Sequence, residues 1–276
     1  MRRLRKILLV GLILGVIAVS YRVLGVYEFR SGECAALPPR RFASTYPAHL
    51  TVMTFNIEGH ASLLRTDHIE QIASTIRKYN PDIVGINEAH RGTWQSRFTD
   101  HADQLHQLTG LNVAYGRSYR FMGGDFGNAI LTRGEIISID VHKLPGTGEP
   151  RSLLEALVRI NGGIVQFYVT HTSAWGGINR EARRDQLHCI NAHVQASGHP
   201  FILTGDLNAP PESPEITAFL GMNVLKFAGD PKTATHKVVN QRLDYILTDG
   251  GWTVRSARVL DEGPSDHRPV LAELVH

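Results

Sequence analysis

The 276-residue chain is short of cysteine and, over most of its length, of net positive charge. Its two cysteines, Cys34 and Cys189, are too few for a disulfide-rich scaffold or a cysteine-rich metal cluster. They could pair in an oxidising compartment, but one falls in a predicted linker and the other in a predicted helix, so we expect no structural disulfide. The sequence also has no internal repeat or low-complexity tract. These absences exclude a disulfide scaffold and a repeat protein.

The formal net charge of +3 is concentrated at the N-terminus. Five of the 29 Lys and Arg residues precede residue 23, where no acidic residue occurs, which leaves 24 basic against 26 acidic groups in residues 23 to 276. Tight, sequence-independent nucleic-acid binding usually needs a basic face. The composition therefore weakens a nuclease interpretation without excluding it.

The basic N-terminal leader is followed by an apolar run from Ile7 to Val19. Only 15 residues lie between Lys6 and Arg22, short of the roughly 20 that a membrane span needs. The run reaches a plausible length if Arg22 snorkels and residues 23–27 extend it. We expect residues 1–27 to be an uncleaved signal anchor, with a cleaved signal peptide or a buried helix of a soluble protein as alternatives. Positive residues stay cytoplasmic, so the remainder would lie on the extracytoplasmic side, or be secreted or periplasmic after cleavage.

The rest of the chain divides into a linker and one large domain. Residues 28–48 carry Pro38, Pro39 and Pro47 and are predicted to be extended, and residues 49–276 suffice for one well-buried core. Helical spacing of apolar residues predicts helices over 67–79 and 179–195. Hairpin-like pairs such as 136–142 with 153–160 indicate antiparallel strands. This mixture favours two facing mixed sheets over one doubly wound parallel sheet.

Polar residues recur at the ends of the apolar strands of this domain. Gly205-Asp206-Leu207-Asn208 follows the apolar run 201–203, and Ser265-Asp266-His267 precedes the apolar run 270–272. Strand ends are rigid, so side chains there can converge on one cation and one phosphate, whereas polar groups within a strand would be buried without partners. Either motif by itself could be an ordinary turn with no catalytic role. Together they indicate metal-assisted phosphate ester hydrolysis.

Seven motifs in this order resemble the endonuclease/exonuclease/phosphatase superfamily from about residue 49 to the C-terminus. They are Phe55-Asn56-Ile57, Asn87-Glu88, Gly127-Asn128-Ala129-Ile130-Leu131, Thr170-His171, Gly205-Asp206-Leu207-Asn208, Leu243-Asp244-Tyr245 and Ser265-Asp266-His267. The resemblance implies an α/β (α+β) fold, a four-layer sandwich of two mixed β-sheets flanked by helices, here preceded by one N-terminal hydrophobic helix. It also implies dependence on Mg²⁺ or Mn²⁺ and a site at one mouth of the sandwich. It does not imply the substrate.

By resemblance, Glu88 is the principal metal ligand, Asn56 lies beside it, and Asp266 is a further ligand or a nearby acceptor. Carboxylate and amide oxygens suit a hard cation such as Mg²⁺. The absence of a Cys/His cluster argues against a zinc site.

The resemblance assigns five residues to catalysis. Asp206 would orient or deprotonate the attacking water, and Asn208 would hold a phosphate oxygen. His267 would stabilise the phosphorane-like charge or transfer a proton, while Asp244 would fix its tautomer. His171 would be a general acid or a hydrogen-bond donor to the leaving oxygen.

Substrate binding is predicted to involve Asn128, Arg117 and Trp175. Arg117 belongs to the glycine-flanked segment 116–124, interpreted as a loop at the mouth, and Trp175 is either a rim residue or a packed loop anchor. Trp94 and Trp252 are expected to pack in the interior. The charged run 180–185 is interpreted as a solvated first turn and face of a helix, from which Arg180 or Arg183 could approach substrate.

The sequence thus predicts an exported or membrane-tethered, divalent-metal-dependent phosphodiester hydrolase. The segment His171-Thr172-Ser173-Ala174 resembles pancreatic-type deoxyribonucleases and favours nuclease activity, although Glu58 replaces an arginine near DNA in those enzymes. A phospholipid phosphodiesterase similar to sphingomyelinase, or a phosphatase, is the alternative, and a catalytically silent binding module is a remote one. The expected partners are a phosphodiester substrate, either nucleic acid or a phospholipid headgroup, and the membrane through the N-terminal segment. No organic cofactor or obligate protein partner is expected.

Overall fold

The computed structural model describes Cys34 and residues 45–146, 148–174, 176–222 and 225–276. The predicted signal anchor over 1–27, most of the predicted linker over 28–48, and Trp175 lie outside these residues. Within the described part of the chain, no helix is both long and apolar enough to cross a membrane.

The described residues contain twelve strands in two six-stranded sheets. The strands are β1 (His49–Asn56), β2 (Ile83–Arg91), β3 (Asn112–Phe121), β4 (Gly124–Thr132), β5 (Glu135–Lys143), β6 (Ser152–Ile160), β7 (Gly163–His171), β8 (Phe201–Asp206), β9 (Lys226–Phe227), β10 (Asp244–Thr248), β11 (Thr253–Val259) and β12 (Val270–Val275). The first sheet has the order β11-β12-β1-β2-β4-β3, and the second has the order β5-β6-β7-β8-β10-β9.

Helices cover the outer face of each sheet. They are α1 (His68–Tyr79), α2 (His101–Thr109), α3 (Arg180–Gln195) and α4 (Pro214–Met222), with short 3-10 helices at Gly59–Leu63 and Gly176–Asn179. Asp100 caps α2 by accepting hydrogen bonds from the backbone N–H groups of Ala102 and Asp103. The left-handed residue Asn80 ends α1. The helices predicted over 67–79 and 179–195 are present with starts shifted by one residue.

Three apolar layers hold the sandwich together. The central layer lies between the sheets and includes Val165, Phe167 and Val169 of β7, which alternate with Tyr168. Tyr168 faces outward and packs in a second layer with Leu187 and Ile190 of α3. A third layer joins α1 and α2 to the first sheet. The order of layers is therefore helices, sheet, sheet, helices, as the sequence predicts.

Two parallel strand pairs set the position of the mouth, which is the end of the sandwich where Asn56, Asn87, His171 and Asp206 come together. β1 pairs with β2 and β7 with β8 in parallel, and the other pairs in the two sheets are antiparallel. The register places Asn56 beside Asn87 in the first sheet and His171 beside Asp206 in the second. The carboxyl ends of both parallel pairs therefore bring their polar residues to one end of the sandwich.

One expectation about the cysteines is wrong, because Cys34 and Cys189 form a disulfide. Cys189 lies on the buried face of α3, and Cys34 packs against the same apolar layer. Their Cα atoms are 5.3 Å apart, a normal spacing for a disulfide. A segment with linker composition is thus fixed to the domain at this point.

Three smaller expectations also need correction. Residues 116–121 belong to β3 and pair with β4, so segment 116–124 is largely a hairpin and not a loop. Trp94 is half exposed, whereas Trp252 is fully buried as expected. Arg183, assigned to a solvated face, is buried because its guanidinium forms two hydrogen bonds with the Glu215 carboxylate on α4.

Candidate active site

Asp206, at the end of β8, lies between two histidines. Its Oδ2 atom is 3.6 Å from His171 Nε2 and 3.6 Å from His267 Nε2. The other ring nitrogen of His267, Nδ1, is 2.8 Å from Asp244 Oδ2. Asp244 begins β10 and pairs with Asp206 in the antiparallel ladder, so the strand register itself brings the two carboxylates together. All four side chains are buried.

The two carboxylates near His267 have opposite pKa shifts. Burial and the nearby Asp244 charge raise the pKa of Asp206 to about 7. For Asp244, burial alone would raise the pKa, but the charge of His267 and its hydrogen bond hold the value below the usual range. Asp206 is therefore the better proton acceptor at neutral pH, and Asp244 remains ionised.

The two histidines also differ in charge. Burial by itself would lower the pKa of His267, but the Asp244 and Asp206 carboxylates raise it to about 10. Burial lowers the pKa of His171 well below its usual value, and the Arg151 and His267 charges lower it further. His267 is therefore cationic at neutral pH and His171 neutral.

Glu88 reaches the mouth from an irregular position in β2. The β2–β4 register shifts between Ile86 and Ala89, and Glu88 has a φ of 62° in the left-handed region. A bulge of this kind redirects a side chain out of the strand alternation. The Glu88 carboxylate accepts a hydrogen bond of 3.0 Å from Asn56 Nδ2. Burial raises its pKa, and this hydrogen bond offsets only part of that effect.

Asn56 connects the Glu88 carboxylate to the Asp206 carboxylate. Its Nδ2 also donates to Asp206 Oδ2 at 3.1 Å, while its Oδ1 accepts from the Glu58 backbone N–H. In this arrangement Asn56 orients both carboxylates and directs its own oxygen away from them. Its predicted role as a metal ligand stays a prediction.

Two more carboxylates lie on the other side of Glu88. The Glu58 carboxylate accepts a hydrogen bond from the Asp266 backbone N–H at 3.1 Å. His60 lies between Glu58 and Glu88, with Nε2 3.6 Å from the Glu58 carboxylate and Nδ1 3.9 Å from the Glu88 carboxylate. His236 Nε2 lies 3.8 Å from Asp266 Oδ2.

The donor set of this region fits a hard divalent cation. Carboxylate oxygens from Glu88 and Asp266 are the ligands such an ion prefers. The raised pKa of Glu88 reflects a partly buried carboxylate without enough compensating positive charge, which a cation would supply. His236, Asp266 and His267 also form one of the side-chain groups whose ligand atoms are close enough to share an ion.

Asn87 holds the mouth together, although no separate role was predicted for it. It is completely buried, and its amide donates to Asn128 Oδ1 at 2.9 Å and to the Thr170 carbonyl at 2.8 Å. Its Oδ1 accepts a 3.0 Å hydrogen bond from the Asp206 backbone N–H. One side chain of the first sheet thus fixes β7 and β8 of the second. Asn128 itself donates to the Ser152 carbonyl, inside the domain.

Asn208 lies beside Asp206 in a turn with a φ of 50°. Its backbone N–H donates to Asp206 Oδ1 at 2.8 Å, and its side-chain amide donates to the Thr172 carbonyl. The preceding Gly205 is required for this geometry, because a Cβ there would collide with the Thr170 carbonyl oxygen. The turn therefore orients the Asp206 carboxylate.

Arg151 is a functional candidate that sequence reasoning missed. It precedes β6, its side chain is only 5% exposed, and Nη2 pairs with Glu149 at 3.0 Å. Its Nε and Nη1 atoms are buried and have no hydrogen-bond partner among the described residues. Its charge lowers the pKa values of both His171 and Glu88, which places it near the mouth. The signal was available, since Arg151 occupies a strand end as Asn56 does.

Glu58, His60 and His236 were not assigned to the site either. Glu58 is adjacent to a quoted motif, and its left-handed φ of 49° turns the chain at the end of β1. His236 lies far from any apolar run that would mark a strand end, so no sequence signal identifies it.

The predicted substrate-binding residues are not all at the cluster. Arg117 lies on β3, where its half-exposed side chain pairs with Asp125 at 3.5 Å. Asn128 is connected through Asn87. Trp175 lies outside the described residues.

Comparisons with known proteins agree with this fold. The model of the Endonuclease/Exonuclease/phosphatase family matches residues 53–267. The structure is similar to an endonuclease/exonuclease/phosphatase from Beutenbergia cavernae DSM 12333, with a TM-score of 0.72 and 24% identity over 83% of this chain and 72% of that one. No curated protein sequence matches the chain.

Two other similar structures belong to proteins with a named activity or a bound ligand. The mannosyl-6-phosphatase of Bacteroides thetaiotaomicron VPI-5482 has a TM-score of 0.68 and 21% identity over 82% of this chain and 100% of that one. TDP2 of D. rerio, complexed with a single-strand DNA product, has a TM-score of 0.69 and 17% identity over 83% of this chain and 100% of that one. At these identities the likeness concerns the fold.

Proposed function

Because the chain belongs to the endonuclease/exonuclease/phosphatase family, whose members are phosphoric ester hydrolases, we propose that it is a divalent-metal-dependent phosphodiester hydrolase. The observation that carries the proposal is the buried Asp206 carboxylate, 3.6 Å from both His171 and the Asp244-paired His267. This arrangement combines a proton acceptor, a neutral donor and a fixed cation in one site.

Glu88 and Asp266 would hold the cation, which we propose to be Mg²⁺, with Mn²⁺ as the substitute. When bound, the ion would neutralise phosphate charge and polarise the reacting oxygen atoms.

The surrounding residues would divide the remaining work. Burial raises the pKa of Asp206 to about 7, so Asp206 would accept the proton of the attacking water. His267 would stabilise the negative charge that develops on phosphorus-bound oxygen. The lowered pKa of His171 favours hydrogen-bond donation to the leaving oxygen over proton transfer from an imidazolium. The unpaired Nε and Nη1 atoms of Arg151 would bind a phosphate oxygen.

The first candidate substrate is a nucleic acid. The segment following His171 resembles pancreatic-type deoxyribonucleases, and the similar D. rerio protein was determined with a DNA product. Exposed Trp94 and Phe98, in the segment after β2, offer surfaces on which bases could stack.

A phospholipid headgroup is the second candidate, and a specific observation favours it. Leu64, Ile178 and Val238 are strongly exposed apolar residues. Leu64 and Ile178 follow β1 and β7, whose ends form the mouth, and Val238 lies two residues beyond His236. Apolar side chains around an acidic mouth suit a lipid surface better than a polyanionic backbone.

We further propose that the domain acts outside the cytoplasm. The basic leader with its apolar run favours export, either as an anchored or as a cleaved protein. The Cys34–Cys189 disulfide adds support, because disulfides persist mainly in oxidising compartments.

Parallel assays of the purified protein with Mg²⁺ test the proposal. The substrates are single- and double-stranded DNA, RNA, phospholipid vesicles and a phosphomonoester, each with wild type, Glu88→Gln and Asp206→Asn. We expect both variants to lose at least about 100-fold in kcat/KM on the preferred phosphodiester. Glu135→Gln, an exposed carboxylate on edge strand β5, is the control and should retain activity.

The pattern of hydrolysis separates the candidates. Cleavage of DNA or RNA alone supports the nuclease, and cleavage of vesicle lipids alone supports the phospholipid enzyme. Hydrolysis of the phosphomonoester only would replace the phosphodiesterase proposal by a phosphatase. Full activity in Glu88→Gln and Asp206→Asn, or no Mg²⁺ binding and no hydrolysis by wild type, would contradict the mechanism.

A further inference from the structure

A second group of metal-ligating side chains lies on the outer face of the second sheet. It comprises His142 of β5, Glu155 of β6 and His193 of α3, and their ligand atoms all lie within 4.8 Å of one another. His142 Nε2 is 2.6 Å from Glu155 Oε2, and the rings of His142 and His193 have centroids 3.9 Å apart. Three separate elements therefore converge on one point.

This group is distinct from the catalytic mouth. Glu155 pairs with Tyr168, three residues before His171 on β7. Tyr168 packs under α3, whereas its neighbours Phe167 and Val169 face the central layer, and His171 continues their alternation. Glu155 and His171 thus lie on opposite faces of the sheet, and the group does not share ligands with the mouth.

The local structure prepares these side chains for a ligand. Glu155 is buried, and its second oxygen, Oε1, accepts a 2.7 Å hydrogen bond from Gln166 Nε2. Such a hydrogen bond fixes the orientation of a metal-ligating carboxylate. The side chain of His142 is 25% exposed, so an ion can enter from solvent beside it.

The donor set determines which ion would bind. Two imidazoles and one carboxylate suit a borderline divalent ion such as Zn²⁺, which takes four nitrogen or oxygen ligands including a water. Mg²⁺ prefers oxygen ligands and would compete poorly here. The sequence argument against zinc looked for closely spaced Cys and His residues, whereas these ligands come from three elements that only the fold brings together.

We propose that His142, Glu155 and His193 form a Zn²⁺ site that fastens the C-terminal end of α3 to strands β5 and β6. β5 is the edge strand of the second sheet, where an unpaired edge needs protection or support. Cys189 lies one helical turn before His193. The ion and the disulfide would therefore secure adjacent turns of the same helix.

Metal retention by the full-length protein provides the first test. The protein is loaded with Zn²⁺, dialysed against buffer containing excess Mg²⁺, and its metal content is measured by mass spectrometry. We expect one zinc equivalent to remain in wild type and in Glu88→Gln, because the catalytic carboxylate does not hold it. The double variant His142→Asn/His193→Asn should lose this equivalent. His188→Asn, on the exposed face of the same helix, is the matched control and should keep it.

Two further measurements guard against misfolding of the double variant. Its circular dichroism and Mg²⁺-dependent hydrolysis should equal those of wild type, since no ligand belongs to the mouth. Gln166→Leu keeps all three ligands and should weaken zinc affinity by about 10-fold through loss of the orienting hydrogen bond. Zinc should also raise the unfolding midpoint of wild type and His188→Asn but not of the double variant.

Either of two results would overturn the site. One is loss of all zinc from wild type during dialysis, which would leave His142 and Glu155 as an ion pair only. The other is equal retention by wild type and the double variant, which would place the zinc elsewhere. Neither result depends on hydrolysis, so this proposal and the catalytic one fail separately.

Discussion

At the scale of single residues, the charged groups of the mouth differ in how well their desolvation is compensated by a neighbour of opposite charge. Asp244 is matched by His267, while Asp206 and Glu88 keep raised pKa values because burial is not fully compensated. Arg151 supplies a nearby guanidinium with two unpartnered buried nitrogens. These differences assign the residues different chemical tasks.

Arg151 is expected to bind the substrate phosphate. Arg151→Met should lower kcat/KM by about 10- to 100-fold, since charge-assisted hydrogen bonds contribute roughly 1.5–3 kcal/mol. Arg151→Lys should recover only part of the loss because it cannot present the same fork of donors. Steady-state kinetics on the preferred substrate measure this, and Arg159→Met, an exposed arginine that follows on β6, is the control. Equal kinetics of Arg151→Met and wild type would remove Arg151 from the site.

Asp244 and His267 are expected to act as one unit. Asp244→Asn and His267→Asn should each reduce kcat by at least about 100-fold, and the double variant should be little worse than His267→Asn alone, because the carboxylate acts through the imidazole. Single-turnover rates at saturating Mg²⁺ measure the coupling. Additive losses would show that Asp244 has a role independent of His267.

His101 makes the stability of the fold depend on pH. Burial, with smaller contributions from His90 and His68, lowers its pKa to about 3, against about 6.5 in an unfolded chain. The unfolded state therefore binds the proton first, and stability present above pH 6.5 is lost as the pH falls towards 3. From pH 7.5 to pH 5 we expect His101 to reduce the free energy of unfolding by about 2 kcal/mol.

Urea unfolding of wild type and His101→Asn at both pH values measures this contribution. The asparagine can still accept the hydrogen bond that the His90 backbone N–H donates to the ring. The variant should lose less stability on acidification than wild type. An equal loss in both proteins would mean that the pKa of His101 does not differ between the folded and unfolded states.

At the scale of elements, the site depends on strand register. Parallel β1–β2 and β7–β8 pairs place Asn56, Asn87, His171 and Asp206 at one end, and the antiparallel β10 adds Asp244. Asn87 joins the two sheets across this end with two hydrogen bonds, to Thr170 and from Asp206, and makes a third with Asn128 of its own sheet. A one-residue slip in either sheet would turn these side chains to the wrong face.

Substitution of Asn87 should therefore affect both stability and turnover. Asn87→Ala leaves buried groups of Asn128, Thr170 and Asp206 without their partner, at a cost of about 3 kcal/mol. It should also lower kcat by about 10-fold at temperatures well below unfolding, because Asp206 is no longer held. Asn112→Ala on β3 removes a single hydrogen bond to Gly134 and should cost about 1 kcal/mol with unchanged kcat. Loss of stability without loss of kcat would make Asn87 purely structural.

At the scale of the whole molecule, one covalent connection spans most of the domain. The Cys34–Cys189 disulfide joins residues 155 positions apart and ties Cys34, ahead of β1 in the chain, to α3. Closing a loop of this length restricts the unfolded chain strongly. The loop-entropy limit is about 5 kcal/mol, although measured contributions are typically about 2–4 kcal/mol.

Removal of the disulfide should lower stability without changing the chemistry. Cys34→Ala or reduction of wild type should decrease the free energy of unfolding by about 3 kcal/mol. We expect kcat to be unchanged, because neither cysteine is among the residues of the candidate site. Denaturant unfolding with and without reductant measures the effect. Cys34→Ala should be insensitive to reductant. Free thiols at both positions in protein isolated from cells under alkylating conditions would argue against export.

Much of the architecture was predictable because local patterns specify it. Apolar spacing identified α1 and α3, the hairpin of β5 and β6 was visible as alternating segments, and seven motifs at strand ends indicated the family. Arg183 and segment 116–124 were misjudged because a buried salt bridge and strand pairing depend on partners distant in sequence. The same limit hid the disulfide.

The sequence by itself indicated the fold family and the class of reaction, because seven ordered motifs at strand ends resemble those of the family. Through the same resemblance it nominated Glu88, Asp206, Asp244 and His267 as candidate site residues. Only the tertiary structure decided which of these groups lie close together and therefore which of them are charged at neutral pH. The cationic His267, the neutral His171 and the raised pKa of Asp206 result from burial and from neighbours on other strands. Electrostatic interaction depends on distance in space, and this distance is set by strand register and not by separation along the chain.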